Sequence, residues 1–280
     1  MPDAARSMPD LPPSGGNVAP RILAIVNQKG GVGKTTTAVN LATAMAACNK
    51  RVLVIDLDPQ GNASTGFGIA RNKREADSYA VLIGEATIAD AAIESGIPGL
   101  ELVPASQNLS GAEIELVSME HREFRLREAV VRHAAASPYD YILIDCPPSL
   151  GLLTLNALVA SDAVLVPLQC EFYALEGLSQ LIRTVERVRK HLNPTLEIQG
   201  VVLTMFDRRN NLSEQVAADV REHFGTTVYR TMIPRNVRVS EAPSYGKPVL
   251  LYDMTCTGAR AYLDLAREVL RREKDLAEAA

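Results

Sequence analysis

The chain has 280 residues, 47% of them hydrophobic and 5% aromatic, with a formal net charge of −4. That length holds one large α/β domain or two small ones, and the acidic balance excludes a protein coated in positive charge, so any nucleic-acid contact must come from a local basic patch. The four cysteines, Cys48, Cys146, Cys170 and Cys256, form no Cys-x-x-Cys pair and are expected to be buried free thiols; they suggest a reducing cytoplasm, and with no apolar leader or membrane-length run the protein is expected to be soluble and not exported.

Residues 1–20 are rich in Pro, Gly, Ser, Asp and Ala without periodicity, and read as a disordered tail ahead of a folded domain over 21–280. The apolar run 22–26 reads as a buried strand. It is followed by Lys29-Gly30-Gly31-Val32-Gly33-Lys34-Thr35-Thr36, and residues 35–47 then read as a helix. A strand, a glycine turn and a helix make a phosphate cradle. Glycines let backbone N–H groups close on phosphate oxygens, the helix N-terminus adds a favourable dipole, Lys34 can reach the terminal phosphates and Thr35 can ligate Mg²⁺. Two departures from the usual loop stand out: Gln28 where glycine is the rule, and an additional lysine, Lys29.

Residues 51–56 read as a strand buried on both faces, delivering Asp56 and Asp58 beyond its carboxyl end, where ligands sit in open α/β sheets. Asp58 is assigned to function rather than to turn formation before Pro59, while Asp56 is left between a functional and a structural role. Residues 63–100 read as a surface excursion with a short helix over 86–93, residues 100–103 as a strand, and 109–136 as amphipathic helices. The run 139–145 is a further buried strand ending in Asp145. Paired with the glycine loop upstream, such an acid belongs near Mg²⁺. A helix over 150–160, a strand over 163–168, a long helix over 175–192 and a strand over 198–204 complete the alternation. The pattern predicts an α/β fold: a single-domain, doubly wound, mostly parallel sheet with helices on both faces.

Two later loops, 205–211 and 233–238, gather several arginines. They are either a solvated surface or a compact phosphate-binding patch; without a helix-turn-helix or zinc-finger pattern, such a patch would grip backbone phosphates in a salt-sensitive way. The final segment, 258–280, has helical apolar spacing. Packing on the core is preferred to lying on a membrane, because large aromatics are missing and acids balance bases.

These motifs resemble the ParA family of partition ATPases, the Soj-type chromosome partition proteins, within the wider group that includes MinD and the nitrogenase iron protein. The likeness spans about residues 21–275, carried by the glycine loop, Asp56-Leu57-Asp58-Pro59-Gln60-Gly61-Asn62, Ile144-Asp145-Cys146-Pro147-Pro148, and the run from Ile233 to Pro243 that points to ParA within the group. The resemblance implies a P-loop ATPase of the deviant Walker A type that uses ATP and Mg²⁺. By residue, Lys29 reaches across a nucleotide-sandwich dimer to the partner's phosphates. Gly30, Gly31, Val32, Gly33, Lys34, Thr35 and Thr36 hold the nucleotide, Asp58 positions the attacking water, and Thr35 and Asp145 serve the metal. Arg209 and Arg238 touch DNA, and Pro234 and Asn236 border the nucleobase. The implied partners are nonspecific double-stranded DNA, a ParB-type centromere-binding protein that stimulates hydrolysis, and a second copy in an ATP-dependent homodimer. The implied place is the cytoplasm, on the nucleoid, without stable membrane association. A MinD-like or other cargo-positioning ATPase, acting on a membrane or protein scaffold, is the alternative.

Overall fold

Consecutive apolar residues leave a strand no wet face, and this chain covers both faces of one sheet with helices. The computed structural model describes residues 19–134 and 139–279. Among these, the strands β1 (Arg21–Ile25), β2 (Val52–Asp56), β3 (Ile93–Ile97), β4 (Leu100–Val103), β5 (Tyr141–Asp145), β6 (Ala163–Gln169), β7 (Glu197–Phe206) and β8 (Val228–Pro234) form one sheet, ordered β3-β4-β2-β5-β1-β6-β7-β8. Every neighbouring pair is parallel except β3 with β4. The helices are α1 (Lys34–Ala47), α2 (Asn62–Gly66), α3 (Ser78–Ile83), α4 (Ile88–Ala91), α5 (Leu109–Glu115), α6 (Arg125–Ala134), α7 (Leu152–Ala160), α8 (Ala174–His191), α9 (Asn211–Phe224), α10 (Val237–Glu241), α11 (Val249–Tyr252) and α12 (Thr257–Ala279).

The strands split their side chains between two cores. Val52 and Val54 of β2 join Leu41 and Met45 of α1 and Leu265 of α12 on one face, while Leu53 and Ile55 join Leu126, Leu153 and Leu178 from α6, α7 and α8 on the other. On α12, Ala259, Tyr262, Leu265, Ala266 and Val269 are at most 1% exposed, so this stripe is spent inside the protein. The buried Glu268 of the same helix accepts the backbone N–H groups of Arg230 and Thr231 at 2.8 and 2.9 Å, clamping the edge strand β8. No helix among the described residues is long and apolar enough to cross a membrane.

Two expectations need correction. The stretch 63–100 is less superficial than expected: Ala63, Ser64, Phe67 and Ile69 are buried, and the Arg74 guanidinium donates to the carbonyls of Ile69 and Ala105. It also contains β3, whose exposed positions alternate with half-buried ones and whose Ser95-Gly96 pair weakens any strand signal. Among the cysteines, all four are free, but only Cys146 and Cys170 are buried. The expected tail falls, over residues 1–18, outside the described residues.

Candidate functional site

The sheet order puts the carboxyl ends of β2, β5 and β1 side by side, with Asp56 in register with Asp145 and Ile25 with Asp145. The glycine loop therefore leaves β1 next to two acids from neighbouring strands. Asn27, which the sequence did not single out, anchors the loop. Its side-chain amide donates to the Pro167 carbonyl at 2.8 Å and its Oδ1 accepts the Lys29 N–H at 3.0 Å. Gln28, in place of the usual glycine, turns outward to Gln180 of α8, with Nε2 to Oε1 at 2.6 Å. Gly31 and Gly33 have φ of +76° and +91°, a left-handed conformation in which side-chain-bearing residues are strained. Thr204 of β7 braces the far side, donating from Oγ1 to the Val32 carbonyl at 2.8 Å. Nothing in its apolar sequence context marked Thr204.

The cradle fits an anion with its counter-ion. A Cβ placed on Gly31 would meet no atom within 4 Å, so the backbone of the loop faces open space there. Helix α1 starts at Gly33 without a side-chain cap, leaving the N–H groups of its first turn for an external acceptor. Lys34 is buried and donates from Nζ to the Lys29 carbonyl at 2.9 Å. Burial lowers its pKa, against the opposing pull of Asp145, Cys146 and Asp58. Asp145 is fully buried and neither carboxylate oxygen has a hydrogen-bond partner. Burial first, and then the charge of Asp56, push its pKa well up; Thr35 favours its ionised form without closing a bond of ordinary geometry. An unpartnered buried carboxyl beside a threonine hydroxyl offers the oxygen donors that Mg²⁺ takes, and leaving that carboxyl unmet is costly.

Asp56 and Asp58 differ in kind. Asp56 is fully committed to the chain: Oδ2 accepts the N–H and hydroxyl of Ser64 at 2.9 and 2.7 Å, and Oδ1 accepts the Asp58 N–H at 3.2 Å. Burial pushes its pKa up to about 6. Asp56 thus shapes the turn that carries Asp58. Asp58 is 7% exposed and uses Oδ1 to accept the Gln60 N–H at 2.9 Å. Lys29 holds its ammonium in an ion pair with Glu171, both side chains about half exposed at 52% and 45%.

The remaining assigned residues lie at the other end of the sheet edge. The loops after β7 and β8 meet through the Arg235 N–H on the Phe206 carbonyl at 3.0 Å, and Phe206 is in register with Pro234. Asn236 caps α10, accepting the Arg238 N–H at 2.8 Å, and donates to Thr257 at 2.8 Å. Its polar atoms are thus used in holding the loop to α12. Arg209 forks onto Asp207, whose carboxyl it holds down at a pKa of about 2, and Arg238 pairs with Glu241 and Asp253.

A family model described as an AAA domain matches residues 20–198. The chromosome partitioning protein ParA of Caulobacter vibrioides is 67% identical over 255 residues, covering 91% of this chain and 96% of the relative. The sporulation initiation inhibitor protein Soj of Bacillus subtilis is 56% identical over 249 residues, covering 89% and 98%. Among solved structures, cobyrinic acid a,c-diamide synthase of Mycobacterium smegmatis with ADP and magnesium superimposes with a TM-score of 0.79 at 36% identity, covering 91% of this chain and 96% of that one.

Proposed function

The chain belongs to the ParA/Soj family of chromosome-partitioning ATPases, and from that premise we propose a nucleotide-timed DNA switch. ATP binds in the cradle with its phosphates on the N–H groups of residues 30–36 and on Lys34, and its base beside the loop of Pro234 and Asn236. Thr35 and Asp145 are the residues that would hold Mg²⁺, which when bound neutralises phosphate charge. The observation that carries this reading is the buried, unpartnered carboxyl of Asp145 at the open cradle.

Hydrolysis is in-line attack of water on the γ-phosphorus, with ADP leaving. Such a transfer needs aligned water and compensated charge more than a strong base. Asp58, held by its own turn at the mouth of β2, orients the water. Lys29, released from Glu171, supplies its ammonium to the nucleotide of a second copy, so the site is completed by dimerisation. The dimer presents the Arg209 and Arg238 face to DNA, a ParB-type partner speeds hydrolysis, and ADP formation releases the DNA. A membrane-bound mode of action has less support, since the apolar stripe of α12 is buried.

The test is co-sedimentation with nonspecific duplex DNA, alongside light scattering, in ATP and in ADP with magnesium. The dimer and DNA binding are expected in ATP and lost in ADP; equal binding in both nucleotides sinks the switch.

A further inference from the structure

Arg74 is half-buried, and among the described residues it forms no ion pair with an acid. Its guanidinium is spent on oxygens of the chain around the Asp58 turn. Nη1 donates to the Ala105 carbonyl at 2.8 Å, Nη2 to the Ile69 carbonyl at 2.9 Å and the Thr65 hydroxyl at 3.1 Å, and Nε to the Ile69 carbonyl at 3.3 Å. These bonds close a circuit. On one side the Ala105 N–H goes to Ser64 Oγ at 3.0 Å, Ser64 donates to Asp56, and Asp56 accepts the Asp58 N–H. On the other side Thr65 Oγ1 donates to the Gly61 carbonyl at 3.0 Å, and the Gly61 N–H to the Asp58 carbonyl at 2.8 Å. Asp58 therefore sits in a ring of hydrogen bonds that passes through Arg74.

The turn is shaped to receive this side chain. Gly61 has a φ of +62°, and a Cβ there would collide with Nη1 of Arg74 and stand 3.0 Å from the Ala105 carbonyl oxygen. A planar fork with donors on three nitrogens spans Thr65, Ile69 and Ala105 at once, which a single ammonium does not. Position is what the turn has to supply, since displacing a water-orienting carboxylate by about 1 Å is enough to slow a reaction strongly. We infer that Arg74 is a positioning residue for ATP hydrolysis, closing the ring that fixes the Asp58 turn. It acts through Thr65, Gly61 and Ala105 rather than on the phosphates. The inference rests on the reading above that Asp58 orients the attacking water.

The test measures phosphate release by the full-length protein in ATP and magnesium, with kcat and KM separated. Arg74→Gln is expected to lower kcat about tenfold while KM for ATP stays within about twofold, because the cradle that binds ATP is untouched. An unchanged kcat, or a loss carried by KM alone, overturns the inference. Combining the substitution with Asp58→Ala separates positioning from general damage. In that background Arg74→Gln is expected to lower turnover no further, since the group it positions is gone. A full additional loss of about tenfold would show an effect independent of Asp58 and overturns the inference. Arg74→Lys keeps the stem and the charge but not the fork, and carries the test if the glutamine variant has a lowered thermal midpoint. It is expected to be slow as well; wild-type turnover in the lysine variant shows that charge alone suffices and also overturns the inference. Normal hydrolysis by the Asp58→Ala single variant defeats the underlying reading of Asp58 instead.

Discussion

The cradle and the arginine face present opposite solutions to handling a phosphate. In the cradle the charged groups are buried, with Lys34 at 6%, Asp58 at 7% and Asp145 at 0% exposure, and each position is fixed by strand ends and backbone bonds. On the arginine face the side chain of Arg209 is 88% exposed and that of Arg238 53%, and both rest on neighbouring acids. Burial gives electrostatic strength at the cost of desolvation, which suits bond breaking; exposure gives weak, salt-screened contacts that add up over an area, which suits reversible grip. Removing one group should therefore be severe in the first region and mild in the second.

The largest effect is expected for Lys34→Ala, which removes the buried ammonium from the phosphates. Phosphate release should drop about a thousandfold, and near-normal turnover would break the contrast at its strongest point. Asp58→Ala comes next. Turnover should fall about a hundredfold while ATP-bound dimer accumulates in light scattering; a variant that hydrolyses normally removes Asp58 from the mechanism. Ser64→Ala probes the packing beneath the cradle. It deletes the hydroxyl that donates to Asp56 and accepts the Ala105 N–H at 3.0 Å, so urea unfolding should show a loss of about 2 kcal/mol. The smallest effect is expected for Arg209→Gln with Arg238→Gln. Stability should stay essentially unchanged, as for exposed ion pairs, while DNA affinity should weaken in a salt-dependent way; an unchanged affinity across salt would remove the two arginines from the contact.

The same contrast decides what could be read from the sequence. The cradle was legible because its parts are contiguous: glycines in a row, a lysine and a threonine after them, and acids closing apolar runs that the parallel sheet then sets side by side. The mostly parallel, doubly wound sheet followed from alternation of strands and helices, but the order of its strands did not. Asn27 and Thr204 were not legible, since each acts across the fold, Asn27 on β6 and Thr204 on Val32, and a polar residue at the end of an apolar run carries no label of its partner. Arg74 fell within the stretch read as a surface excursion, and only the folding of that stretch against the residues after β4 brings it to the Ala105 carbonyl. Nor does sequence reveal neutralisation: that Asp207 and Glu241 silence Arg209 and Arg238 depends on side-chain direction.

The bond from Thr204 to the Val32 carbonyl has a mechanical corollary. Thr204 lies in β7, and four residues further along the same chain stands Arg208, in the turn that follows the strand. No hinge glycine lies between them, and Met205 in that interval is locked at a φ of +51°. The glycine loop and the arginine-bearing turn after β7 are thus joined by one short stretch of chain. A shift of Val32 either breaks the Thr204 bond or carries the carboxyl end of β7 with it.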